Sequence, residues 1–224
     1  RRDFTINAIG YDVIIKKILD PFNGIDDIKN KILKAVDIQK FSEDPLRVFR
    51  LVGFSSRLNF TIDEELFLLC KKMCDENILA ELPKERIMDE VKKILLKSPS
   101  PSLGFLLLKD LNALEYLKPL NKLNSNNFSE LLKALDNITK FLTNDNKTDI
   151  TLMLAILCYK FNKPDTEEFI SNLTGEKKLL KDIYSLTHND FKNSYNDSEL
   201  LLLATKVNIE HFLIFSQAIH NSID

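Results

Sequence analysis

SEDPLRVFRLVGFSSRL (residues 42–58) divides the chain. Pro45 suits the first turn of a helix, where no backbone N–H is required, and Asp44 stands before it as an N-cap acceptor. From this point apolar residues recur at helical spacing almost without interruption. Ahead of it, strand and short-helix signals alternate. The expected fold is mainly α: a small α+β portion leading into a helical array.

Working back, Phe4, Ile6 and Ala8 alternate with Thr5 and Asn7, the period-two pattern of a strand with one buried face. DPFNGIDDIKNKILKAV (20–36) reads as a Pro/Asn/Gly turn, a short helix carrying Ile25, Ile28 and Ile32, then an apolar strand. Working forward, TIDEELFLLCKKMCDE (61–76) has Thr61 or Asp63 as N-cap and a stripe through Leu66, Leu69 and Met73. LPKERIMDEVKKILL (82–96) places Ile87, Val91, Ile94 and Leu95 on one side. SPSPS (98–102) interrupts the pattern, because closely spaced prolines favour extended or turn backbone. Further amphipathic helices are expected over Leu103–Leu108, Leu111–Leu117, Phe128–Leu142 and Ile150–Tyr159, joined by polar segments such as NKLNSNNFS and TNDNKTD.

Lys and Arg together number 31 against 33 Asp and Glu, so no overall basic field advertises nucleic acid and any such surface must be local. Cys70, Cys74 and Cys158 are too few for a disulfide framework. Cys70 and Cys74 have no second pair to complete a zinc site, and read as buried thiols in a reducing compartment. No apolar run approaches the ~20 residues that span a bilayer. A cytoplasmic protein is expected. Every arginine lies at or before Arg86, with lysine alone supplying positive charge afterwards. Codon bias explains few arginines but not their clustering, and arginine is the residue for planar, bidentate recognition of phosphates and base edges.

Asp44, Arg47 and Arg50 are spaced by three and climb one helix face. One reading is a cap with a local i, i+3 ion pair. The other is a hydrogen-bonding edge: a carboxylate accepts from an exocyclic amine while a guanidinium donates to ring nitrogens or carbonyls, as in one side of a base pair.

RRDFTINA (1–8), DPFNGIDDI (20–28), EDPLRVFRLVGF (43–54) and LPKERIMDEVKKIL (82–95) occur in that order. Together they resemble successive motifs of the class II tRNA nucleotidyltransferase/poly(A) polymerase family, the bacterial CCA-adding enzymes and their relatives. The resemblance implies a nucleotidyltransferase head domain ending near residue 40, a helical nucleotide-reading neck over 41–100, and a helical body and tail over 101–224 that bind tRNA. It implies that Arg2 and Asp3 hold the sugar and phosphates of the incoming nucleotide, with Asn7 in support. Asp44 and Arg47 would read the base of CTP or ATP, and Arg50 would also bind the nucleotide. Glu85 and Arg86 would brace the reading helix.

The implied activity is template-independent addition of C and A to tRNA 3′ ends, with A-adding, CC-adding and poly(A) specialists left open. A non-catalytic helical RNA-binding module is the alternative of another class. The family's glycine-rich loop and paired carboxylates for Mg2+ would precede Arg1. The chain is therefore expected to be a segment of a longer protein, inactive by itself. Gly53 stands where many relatives carry a basic residue, which weakens phosphate binding or shifts it to Arg57. Lys92, Lys93, Lys97, Lys177, Lys178 and Lys181 are candidates for phosphate contacts or for ordinary solvated faces. Some longer relatives append a His-Asp phosphohydrolase. Here Cys158 and Tyr159 stand at the corresponding place, and His188, His211 and His220 form no local metal set, so that activity is not expected.

Overall fold

The computed structural model describes residues 2–143, 145–188 and 196–220, so Arg1 lies outside the described residues. A hairpin of β1 (Gly10–Asp12) and β2 (Lys17–Leu19) is followed by α1 (Gly24–Asn30) and β3 (Ile32–Leu33). Helix α2 (Arg47–Leu58) leads into β4 (Thr61–Ile62), which pairs in parallel with β3. The helices α3 (Glu64–Asp75), α4 (Lys84–Lys97), α5 (Pro101–Asp110), α6 (Ser125–Ile138) and α7 (Asn146–Cys158) come next. The chain continues through α8 (Lys163–Leu173), α9 (Lys177–Thr187), α10 (Asp197–Ala204) and α11 (Ile209–His220). The mainly α reading with a small α+β portion holds.

The expected strand at Phe4–Ala8 does not form. Phe4 makes an isolated antiparallel bridge to Ala35, and Thr5–Asn7 turns into a 3-10 helix. The cause lies in the polar residues of the alternation. The Thr5 hydroxyl donates to buried Asp27 at 2.7 Å, and the Asp3 carboxylate accepts from the amide of Phe4 and the side chain of Asn7. These bonds curl the chain onto α1. There it comes so close that a Cβ on Gly24 would lie 2.4 Å from the Thr5 carbonyl oxygen. Helix α1 stops at Asn30 because Lys31 takes a left-handed conformation, which places Ile32 in β3 instead of on the helix.

The N-cap of α3 is Asp63, with Thr61 in β4. Leu111–Leu117 is no α-helix: Asn112 takes a left-handed conformation after α5, and a 3-10 turn over Ala113–Tyr116 follows. Proline at the first position of α5 sets the break after α4.

Ile87, Val91, Ile94 and Leu95 are all buried and press α4 against α2, α5, α7 and α8. Helix α2 contributes Val48, Phe49, Leu51 and Val52 to the same core. Helix α7 is buried from Asp149 to Cys158 beneath α6, α9 and α11. Cys70, Cys74 and Cys158 are buried free thiols, and burial, aided by Asp75, pushes the Cys74 thiol up to about 12. Among the described residues no helix is long and apolar enough to cross a membrane.

Candidate functional site

The first turn of α2 is tied off by backbone bonds from Arg47 to Asp44 and from Val48 to Pro45. The Asp44 carboxylate accepts from the Leu46 amide at 3.3 Å, closing the turn one residue ahead of the helix. This geometry aims the start of α2 at the 3-10 segment Thr5–Asn7 and at the start of α4. A cleft of about 450 Å³ opens between them, lined by Arg2, Asp3, Asn7, Asp44, Leu46, Arg47, Arg50 and Arg86. Residues from three separated stretches thus meet in one place. Four arginines against two aspartates give the cleft a positive balance suited to a polyanion.

The local pair between Asp44 and Arg47 does not form. Asp44 is instead engaged by Arg86, whose guanidinium lies 3.3 Å from both carboxylate oxygens. Arg47 donates through one terminal nitrogen to the carbonyls of Lys40 at 2.6 Å and Phe41 at 3.1 Å. Two of its five N–H donors at most are taken, which leaves a guanidinium of fixed position with donors to spare. Asp44 keeps acceptor lone pairs beside long contacts, so the cleft wall carries both a carboxylate acceptor and guanidinium donors.

Arg50 reaches across to the N-terminal segment. Its Nε lies 2.7 Å from Asp3 Oδ2, and a terminal nitrogen lies 2.5 Å from the same oxygen. Burial by itself would raise the Asp3 carboxyl. Hydrogen bonds from Asn7, Arg50 and the Phe4 amide, with the Arg50 charge, outweigh it and hold the group below the usual carboxylate value. On its far side Arg50 approaches buried Glu90 at 4.0 Å, and Lys93 pairs with Glu90 at 2.8 Å. Asp3, Arg50, Glu90 and Lys93 form a chain of alternating charge from the N-terminal segment through α2 to α4.

Sequence reasoning missed Glu90, although a signal was present. With Ile87, Val91 and Ile94 it completes the i, i+3, i+4, i+7 stripe, and a carboxylate on a buried stripe calls for a partner. Arg86 is a wall of the cleft as well as a brace. Glu85 is exposed in the first turn of α4 and lines no part of the cleft. Arg57 does not line it either, since its guanidinium sits 4.7 Å over the Phe54 ring. A smaller adjoining cavity, about 230 Å³, shares Arg2, Asp3 and Arg47 and adds Phe22 and Lys40.

Lys92, Lys93 and Lys97 line one further cavity, and Lys178 and Lys181 line another, with Lys147 common to both. Lys177 opens α9 beside them. Among the described residues no group of three or more His, Cys, Asp or Glu side chains is placed to hold a metal ion. The described residues therefore offer no site that fits the Mg2+ the family resemblance implies.

Two family models match the chain: a poly A polymerase head domain over residues 1–34, and a probable RNA and SrmB-binding site of polymerase A over residues 59–122. A CCA-adding enzyme from Actinobacillus succinogenes is 30% identical over 228 residues, covering 100% of this chain and 56% of the relative. A CCA-adding enzyme from Francisella tularensis is 42% identical over 122 residues, covering 53% of the chain and 32% of the relative. The chain thus spans about half or less of the curated relatives it matches. Among solved structures, a tRNA nucleotidyltransferase complexed with a primer tRNA and an incoming ATP analog superposes with a TM-score of 0.76 at 21% identity. That superposition covers 100% of this chain and 69% of the other. A tRNA-processing enzyme with CTP superposes at 0.76 and 22% identity, covering 99% and 65%. At such identities the likeness shows a shared fold. With the head and RNA-binding models matched in order, this chain belongs to the class II tRNA nucleotidyltransferase/poly(A) polymerase family.

Proposed function

We propose that the protein to which this chain belongs adds C and A from CTP and ATP to the 3′ ends of tRNA, and that the cleft between Asp3, Asp44 and Arg86 selects the incoming nucleotide. The observation that carries this reading is the meeting of Arg2, Asp3, Asn7, Asp44, Arg47, Arg50 and Arg86 in one positively balanced cleft. Asp44 accepts from the base amine and Arg47 donates to ring nitrogen or carbonyl. Arg86 holds Asp44 in register, and the Lys40 and Phe41 carbonyls hold Arg47. Arg2 and Arg50 supply charge for the phosphates, with Asp3 directed to the sugar.

Residues 1–40 act as the end of the head, 41–100 as the neck, and 101–224 as the body and tail. The lysines around Lys147, from α4 to α9, form a local basic surface that chain-wide charge conceals, and it suits the phosphates of tRNA. The family's Mg2+ chemistry is assigned to carboxylates outside this chain.

The test incubates protein expressed from its complete reading frame with tRNA lacking its 3′ terminus, Mg2+, CTP and ATP, followed by sequencing of the products. Tails ending in CCA are expected, and no extension overturns the reading. In the same assay Asp44→Ala should lower CTP and ATP selection by roughly 10- to 100-fold, the scale of one bidentate base contact, while leaving tRNA affinity intact. Equal loss of both would make Asp44 only a turn residue.

A further inference from the structure

Asp3 lines the arginine-rich cleft with its acceptor positions already taken. An ionised carboxylate offers about four lone-pair sites and donates nothing. On Asp3, Oδ1 accepts from the Phe4 amide and from Asn7 Nδ2, each at 3.0 Å. Its Oδ2 accepts from Arg50 Nε at 2.7 Å and from an Arg50 terminal nitrogen at 2.5 Å. These bonds hold the carboxyl below its usual value, so it stays ionised, and only 8% of the residue is exposed. A sugar hydroxyl arriving at Asp3 would have to evict one of these donors.

Asn7 stands beside it in a different state. Because the carboxylate only accepts, the bond to Asp3 fixes Nδ2 as the anchored end of the amide and Oδ1 as the other end. Asn7 lines the cleft and is half-buried; its Oδ1 keeps accessible surface and accepts from no described residue. The backbone beneath it is pinned. The Asn7 amide donates to the Phe4 carbonyl at 3.0 Å, and the Thr5 hydroxyl donates to Asp27 at 2.7 Å. Of the side chains that line the cleft, only Asp3, Asn7 and Asp44 carry oxygen, and Asp44 is held by Arg86. An amide oxygen repels phosphate and the ring oxygen of a sugar, and accepts from a hydroxyl.

We propose that Asn7 Oδ1 accepts a ribose hydroxyl of the incoming nucleotide, and that Asp3 is a positioning residue that orients both Asn7 and Arg50. The assignment rests on the nucleotide reading of the cleft and specifies the sugar contact within it. A single carboxylate turns the amide oxygen away from itself and fixes the guanidinium whose remaining donors serve the phosphates. A preference for ribose over deoxyribose follows, set by a neutral acceptor on a pinned turn.

Calorimetric titration of protein expressed from its complete reading frame, without tRNA, tests the contact with CTP, 2′-deoxy-CTP and 3′-deoxy-CTP. One deoxy form should bind about tenfold more weakly than CTP, the loss expected for one hydrogen bond, and its position identifies the hydroxyl. The CTP analogue with fluorine at that carbon has no proton to donate and should bind as weakly as the deoxy form. Asn7→Leu keeps the volume and removes the amide; it should weaken CTP about tenfold and leave the deoxy form unchanged, so that the two bind alike. A wild type that binds all three nucleotides alike, a fluoro analogue that binds as well as CTP, or an Asn7→Leu variant that keeps the ratio overturns the proposal. The first two results need no variant, so they decide the matter even where Asn7→Leu fails to fold. Asp44→Ala should weaken CTP and the deoxy form together and preserve their ratio. Failure of the base reading is therefore separate: Asp44→Ala would leave CTP binding unchanged while the preference for ribose remained.

Discussion

Arg50→Gln isolates the charge chain that joins the N-terminal segment at Asp3 to helices α2 and α4. The substitution removes the guanidinium bonded to Asp3 Oδ2 at 2.7 Å and standing 4.0 Å from Glu90. Asp3 and Glu90 are 8% and 4% exposed, so neither carboxylate gains full hydration in exchange. Taking one partner from a buried ion pair costs roughly 3–5 kcal/mol. Arg50 itself is 34% exposed, and Glu90 keeps Lys93, so water and the remaining cation recover part of this. The expected loss is roughly 2–3 kcal/mol. With a urea m-value of roughly 3 kcal/mol/M for a chain of this size, the midpoint should fall by roughly 0.7–1 M at unchanged slope. Asp3→Asn and the double variant complete a cycle. Because Asp3→Asn removes the charge that Arg50 serves, the double variant should cost roughly 1.5 kcal/mol or more less than the sum of the singles. Additivity within about 0.5 kcal/mol would refute the reasoning, since it would mean that the two side chains meet without depending on each other.

The same pair has an acid signature. The folded-state pKa of Asp3 lies below its ordinary 3.8, so its contribution is present above that value and is lost as pH falls through the lower folded value; urea midpoints of the wild type and Asp3→Asn should converge there and stay apart near neutrality. Gly24→Ala should lower stability by roughly 1–3 kcal/mol, because the new methyl group meets the Thr5 backbone at 2.4 Å; an unchanged midpoint would mean that the 3-10 turn yields freely. Cys70, Cys74 and Cys158 should resist a thiolate-directed reagent in the folded chain and all react once it is unfolded, as burial raises all three thiols. A thiol that reacts rapidly without denaturant would contradict that burial.

The helices were legible because their evidence is local and repeated. Ile87, Val91 and Ile94 state the buried face of α4 within three turns, and Pro101 states where α5 begins. The segment Phe4–Ala8 was misread because period-two alternation records only which residues are apolar. The conformation was decided by Thr5 bonding to Asp27 and by Asp3 bonding to Phe4 and Asn7, and the first of those partners lies 22 residues away. Leu111–Leu117 failed for a related reason. Its leucines fit a helix, but Asn112 in the left-handed region ends the helical path, and the apolar side chains reach the core from a 3-10 turn instead.

The cleft shows the same division between composition and pairing. Arg2, Asp3, Asp44, Arg47 and Arg50 could be nominated from motif and spacing, but spacing assigned Asp44 to Arg47, its neighbour on the helix. In the fold Asp44 goes to Arg86, 42 residues on, and Arg50 goes to Asp3, 47 residues back. A local pair would have joined Asp44 to Arg47 within a single helix turn and left α2 indifferent to what lies beside it. The long-range pairs do the opposite. Each ties α2 to a different stretch of chain, Arg50 to the N-terminal segment and Asp44 to α4, while Arg47 is fixed by backbone carbonyls and keeps donors to spare. Loss of either long-range pair should therefore disturb the shape of the cleft as a whole, beyond the charge removed, because Arg86 both lines the cleft and holds Asp44.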